Sequence, residues 1–175
     1  VLFLDADEVV SSTLADELRA LRDSDFHGEQ FNGYAIARNE QVFWRMSAKA
    51  TRQNYYIRLF KRDCAGFSEM PVHATVEVSG AIGRLREPFF HFGETDIHTK
   101  VEKINGSSTG LVRDKLAKKR VSSPWIMVVY PPLFFLRSYL FKRGFCNGWA
   151  GFIASVGGSF YVFLKYAKVY EQSSF

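Results

Sequence analysis

The sequence predicts an α/β domain followed by a helical, aromatic-rich C-terminal tail, and three observations predict it. The chain opens on Val1-Leu2-Phe3-Leu4-Asp5-Ala6-Asp7-Glu8, an apolar run that ends in three carboxylates within four positions. Such a run reads as a buried strand that delivers acids to a sheet edge, where open α/β sheets place their ligands. Between Tyr34 and Phe92 short alternating stretches are punctuated by Gly, Pro and Ser, which reads as a succession of strands. From Asp96 onward the apolar period becomes helical. The expected division is therefore residues 1–95 as the sheet-bearing part and 96–175 as the helical part.

After the acidic edge, Ser11 to Arg22 reads as an amphipathic helix over 12–22. It has a hydroxyl cap, acids early, bases late, and Leu14, Leu18 and Leu21 on one face. Tyr34–Arg38, Tyr55–Phe60, Val72–Val78 and Pro88–Phe92 read as strands, with a turn at Ser79-Gly80. Residues 45–54 read as a mobile basic loop. Ile97, Val101, Ile104, Leu111, Val112 and Leu116 set a helical period that Gly106 and Gly110 are expected to break into two. Residues 121–136 are uncharged, but Pro124, Pro131 and Pro132 argue against a straight membrane span and for an interfacial segment. Leu133–Phe141 reads as helical. The uncharged run Gly144–Leu164 is long enough to span, yet its glycines, serines and Asn147 favour a helix packed on the domain or lying in the interface.

Composition narrows the class. With 47% hydrophobic and 23% charged residues the chain is globular, not disordered. Seventeen Phe, eight Tyr and three Trp crowd toward the C-terminal third among Lys and Arg, a pattern that suits a membrane interface. The net charge of +5 calls for an anionic partner, and charge alone does not choose among lipid head groups, a nucleotide diphosphate and nucleic acid. Cys64 and Cys146 have no metal-type spacing and read as reduced thiols of a cytosolic protein. The chain begins without methionine inside a predicted strand that has no earlier strand to pair with. It is therefore expected to be the C-terminal part of a larger domain.

Asp5 and Asp7 are separated by one small residue, so in extended geometry they point the same way and can share one hard cation. Asp5-Ala6-Asp7-Glu8-Val9-Val10 resembles the first motif of haloacid dehalogenase-type phosphatases, in which the first Asp is a nucleophile and the second an acid/base. That chemistry also needs a later acidic pair for magnesium, and no Gly-Asp-x-x-x-Asp or Asp-Asp follows Glu8. A phosphatase is the second reading.

A longer series of residues favours the first. Leu4-Asp5-Ala6-Asp7-Glu8 with its following helix, Arg58-Leu59-Phe60-Lys61-Arg62, Val72-His73, Phe90-His91, Lys103-Ile104-Asn105 and Gly144-Phe145-x-Asn147-Gly148 occur in this order along nearly the whole chain. The series resembles family 2 glycosyltransferases of the GT-A fold, in particular bacterial enzymes of lipopolysaccharide core synthesis. The resemblance implies the C-terminal part of a Rossmann-like GT-A domain that moves a sugar, with inversion, from a nucleotide-sugar donor to a saccharide or lipid-linked acceptor. It implies that Asp7 ligates Mn2+ or Mg2+ bridging the diphosphate, with Asp5 toward the ribose or a metal-bound water. It further implies that His91 or His73 is a third ligand and that Arg58 contacts the diphosphate. Inverting transfer needs a base. Related enzymes carry Glu after the Val-His pair, where this chain has Ala74. Glu69, Glu77 and Glu94 are then the candidate bases, or the acceptor chemistry differs, or the chain is a catalytically impaired binding remnant. The tail implies peripheral association with the inner face of the cytoplasmic membrane, with no nucleic-acid partner.

Overall fold

The computed structural model describes residues 1–23, 30–67, 76–93, 95–117 and 123–174. The chain forms two compact units, residues 1–40 with 53–92 and residues 41–52 with 93–175. The architecture is mixed α/β with a helical C-terminal part, as the sequence pattern predicts.

The first unit contains β1 (Glu8–Val10), α1 (Ser12–Asp23) and most of β2 (Gly33–Val42). These are followed by β4 (Asn54–Phe60), β5 (Ala65–Phe67), β6 (Val76–Val78), β7 (Ile82–Arg84) and β8 (Phe89–His91), with β3 (Arg45–Met46) falling between β2 and β4. β2 is the centre of the sheet. It runs antiparallel to β4 (Tyr34 opposite Leu59), parallel to β7 (Tyr34 opposite Gly83) and, further along, parallel to β8 (Arg38 opposite Phe89). β8 in turn pairs antiparallel with β1, setting Glu8 opposite His91. β5 and β6 form a separate antiparallel ribbon that leads into a turn at Gly80, whose φ of +98° suits a residue without a Cβ.

α1 starts where its chemistry dictates. The Leu14 amide donates to Ser11 Oγ (3.1 Å), and Ser11 Oγ donates to the Pro88 carbonyl (2.7 Å), so the cap also ties the helix to the residue leading into β8. Asp16 and Glu17 lie beyond the first turn, where the sequence reading had placed acids. Glu17 instead accepts the Arg86 and Glu87 amides, each at 2.9 Å. Leu14 and Phe89 are fully buried with Tyr34, Ile36 and Leu85, and Leu18 and Leu21 pack against them.

Val1–Leu4 differs from the buried strand expected. Phe3 N–H donates to the Arg58 carbonyl (2.8 Å) and Phe60 N–H to the Val1 carbonyl (3.0 Å), so the segment lies antiparallel along β4. Among the described residues β4 is its only strand partner, and Val1 and Leu2 are exposed.

In the second unit the end of β2 turns through Phe43-Trp44 into β3. The following residues are fastened, as described below, and are not the free loop expected. α2 (Ile97–Ala117) is continuous through Gly106 and Gly110. Asp96 caps it by accepting the Thr99 amide (2.8 Å). The Lys168 ammonium bridges Asn105, Ser108 and Thr109 on the turns beside Gly106 and Gly110, so contacts from a neighbouring helix offset the two glycines.

α3 (Pro124–Leu136) carries Pro124 in its first turn, where no amide is needed, and passes through Pro131 and Pro132 into a wide π turn over Arg137–Phe141. α4 (Gly148–Ser174) follows a short 3-10 turn, Gly144–Asn147. Two glycines of this stretch are close-approach sites: a Cβ on Gly151 would lie 2.0 Å from the Gly144 carbonyl, and one on Gly158 2.8 Å from the Phe134 ring. Among the described residues no helix is long and apolar enough to cross a membrane.

Candidate functional site: the acidic turn and its arginine

Asp5-Ala6-Asp7-Glu8 forms a tight turn, with the Glu8 amide donating to the Asp5 carbonyl (3.0 Å). The extended geometry expected for Asp5 and Asp7 is replaced by this turn. The two carboxylates consequently meet different partners.

Asp5 Oδ2 accepts from Arg58 Nη2 at 2.6 Å. The same nitrogen donates to Glu8 Oε1 at 2.5 Å, and Glu8 Oε2 accepts the Asp5 amide at 3.1 Å. Glu8 is inaccessible and Arg58 nearly so, whereas about half of the Asp5 side chain reaches solvent. The guanidinium carbon also lies 5.3 Å from the Phe3 ring centre, 5.9 Å from Tyr56 and 5.7 Å from Phe89, an aromatic lining suited to a buried planar cation. Its Nε has no hydrogen-bond partner among the described residues. Two acids against one cation leave a net negative charge, and the exposed oxygens of Asp5 carry it to the surface.

Asp7 faces the other way. Its carbonyl accepts the Phe92 amide (2.8 Å), which closes the turn onto the end of β8, and its Oδ2 lies 3.3 Å from His91 Nε2. Both side chains are partly exposed. A carboxylate oxygen and an imidazole nitrogen side by side at a solvent-reaching edge form a two-donor seat of the kind that Mn2+ accepts. Among the described residues no group of three His, Cys, Asp or Glu is gathered tightly enough to enclose a metal, and Asp5 is bonded to Arg58.

Of the other residues singled out from the sequence, Glu77 is exposed on β6. His98 is exposed on α2, 3.6 Å from Glu102. Glu69, Glu94, His73, Ala74 and His27 lie outside the described residues. Cys64 and Cys146 are both free. Glu8 was missed as a working residue. The available signal was slight, a third acid directly behind Asp-x-Asp, because its partner lies fifty residues on.

Over nearly its full length, this chain is 25% identical to the lipopolysaccharide core biosynthesis glycosyltransferase LpsC of Rhizobium meliloti, in an alignment covering 97% of this chain and 63% of that protein. The chain is similar to glycosyltransferases. It is also 27% identical to the uncharacterized glycosyltransferase RT0209 of Rickettsia typhi (99% of this chain, 62% of that protein). Identity to an uncharacterized glycosyltransferase of Rickettsia felis is 28% (98% and 64%). The chain thus spans somewhat under two thirds of the length of these curated relatives. No family model matches the chain and no solved structure matches it. The relatives lend the phosphatase reading no support.

Proposed function

We propose that the chain supplies the metal-binding edge and acceptor side of a family 2, GT-A glycosyltransferase. The reaction is inverting transfer of a sugar from a nucleotide-sugar donor to a saccharide or lipid-linked acceptor in lipopolysaccharide or envelope polysaccharide synthesis, at the inner face of the cytoplasmic membrane. The observation that carries the reading is the pairing of half-exposed Asp7 with His91 at the end of β8, in a chain whose curated relatives are glycosyltransferases.

Asp7 and His91 are the residues that would hold Mn2+ or Mg2+. The ion, when bound, neutralises the diphosphate leaving group. The rest of the work belongs to the chain. Glu8 and Arg58 fix the turn from beneath, so Asp7 is presented without having to be ordered when the donor arrives. Arg58 holds Asp5 in a second, more polar position suited to hydroxyl groups of a ribose or to a water. Because the guanidinium is buried under the turn, Arg58 positions Asp5 in this reading and does not itself reach the diphosphate. Glu77, Glu69 and Glu94 remain the candidate bases.

The test uses the full-length protein with nucleotide-sugar donor, acceptor and Mn2+. Asp7→Ala is expected to abolish metal-dependent transfer, and His91→Ala to raise the Mn2+ concentration needed for half-maximal rate. Undiminished transfer by Asp7→Ala removes the acidic turn from the reaction.

A further inference from the structure

Two segments distant in sequence are fastened together within the second unit, and Asn147 is the fastener. Its side chain is almost fully buried. Oδ1 accepts the Ala48 amide (2.7 Å) and Nδ2 donates to Thr51 Oγ1 (3.0 Å), while the Arg52 amide donates to the Lys142 carbonyl (3.1 Å). These bonds hold residues 45–52 against the junction between α3 and α4. Arg45 Nη1 adds a long contact to the Asn147 carbonyl at 3.5 Å.

The joined segments present two kinds of side chain. Trp44 (63% exposed), Phe141 (76%), Phe145 (48%) and Trp149 (74%) stand out as large rings in water. Arg45, Lys49, Arg52 and Arg143 are exposed among them. Neither segment contains Asp or Glu, and no acidic residue occurs anywhere between Asp114 and Glu171. The backbone is bent to make this surface. The described non-glycine residues with positive φ are Phe43 (54°) and Arg143 (57°), one in each of the two segments. Such conformations persist where surrounding structure over-determines them, and they gather at functional surfaces.

From this juxtaposition we propose that residues 43–52 and 137–149 form a seat for an anionic lipid bilayer, with the rings at head-group level and the cations on lipid phosphates. Amphipathic rings interleaved with Lys and Arg are the composition of that interface. A second copy of the chain is disfavoured because it would set one uniformly cationic patch against another. Nucleic acid is disfavoured because the exposed Leu136 and Leu140 enlarge the apolar part of this surface and would find no partner there. The surface lies entirely in the second unit, so the proposal does not depend on the chemistry assigned to Asp5 and Asp7.

The experiment measures partition of the full-length protein onto phosphatidylglycerol-containing and pure phosphatidylcholine vesicles by flotation, with tryptophan emission as the second readout. Binding is expected on the anionic vesicles, with a blue shift as Trp44 and Trp149 leave water. Each basic residue near such a surface contributes roughly fivefold in partition. Lys49→Gln with Arg52→Gln is therefore expected to weaken binding by about tenfold or more, and Phe141→Ser with Trp149→Ser to abolish the blue shift. All four side chains are exposed, so circular dichroism should be unchanged. Asp7→Ala should bind as the unaltered protein does, even where transfer is lost. Equal binding to both vesicle types, or undiminished binding of both double variants, overturns the proposal. So does concentration-dependent self-association in sedimentation without vesicle binding, which would give the surface to a second copy.

Discussion

Replacing Arg58 by Met removes the guanidinium beneath the acidic turn while keeping a long apolar stem among Phe3, Tyr56 and Phe89. Glu8 would then be left inaccessible with the Asp5 amide as its remaining hydrogen bond among those described. Breaking a buried ion pair from one side typically costs about 3–5 kcal/mol, because the surviving charge is uncompensated. The half-exposed Asp5 adds little to that figure, since water takes over its stabilisation. For a chain of this length a loss of that size lowers the thermal midpoint by roughly 6–20 °C. Equilibrium urea unfolding followed by circular dichroism measures it. Glu8→Gln combined with Arg58→Met should recover much of the loss, giving a coupling energy of about 2–3 kcal/mol. A single variant within about 1 kcal/mol of wild type, or a double variant whose cost equals the sum of the singles, would refute the view that the pair holds the turn.

The other stability predictions concern the helices. Gly106→Ala meets no atom within 4 Å and should stabilise α2 by about 0.5–1 kcal/mol, whereas Gly151→Ala drives a Cβ into the Gly144 carbonyl and should lower the melting temperature measurably. Calorimetry on both variants checks the contrast, and a neutral Gly151→Ala would mean that the corner before α4 is loosely built. Asp96 has its carboxyl lowered from the ordinary value of 3.8, chiefly by the Thr99 amide. Its folded-state pKa is depressed, so its stabilisation is complete above 3.8 and is lost as pH falls through the lower folded value. The melting difference between wild type and Asp96→Ala should therefore be present at pH 7 and shrink below that window.

What the sequence made legible was whatever local pattern decides. The cap at Ser11, the alternation of Tyr34–Arg38 and Tyr55–Phe60, and the change of period at Asp96 each depend on neighbours a few residues apart, and each became the expected element. Partners distant in sequence were not legible. Nothing near Asn147 announces Ala48 and Thr51, and nothing near Glu8 announces Arg58, fifty residues on. The glycines of α2 misled for the same reason. Their helix cost is local, but Lys168 reaches the turns beside them from α4. The Asp-x-Asp pattern was read correctly as acids at a sheet edge and incorrectly as an extended pair, because the turn that divides them is set by the Phe92 and Glu8 amides.

That division of labour makes the two chemistries open to this motif distinguishable by mutation. A phosphatase of the haloacid dehalogenase type would use Asp5 as its nucleophile, whereas the glycosyltransferase proposed above would use Asp7 to hold a metal. In this fold Asp5 is bonded to a buried guanidinium, and Asp7 lies beside an imidazole that a cation can replace as its partner. In the full-length protein Asp7→Asn is therefore expected to lower Mn2+-dependent sugar transfer by at least 100-fold, about 2.7 kcal/mol in the transition state. Asp5→Asn keeps a hydrogen-bond acceptor for Arg58 and should cost roughly tenfold or less. Product formation from a labelled nucleotide-sugar measures both. The opposite ranking, joined to a beryllium fluoride adduct on Asp5, would show that the carboxylate beside Arg58 is the nucleophile and that the acidic turn serves phosphoryl chemistry instead.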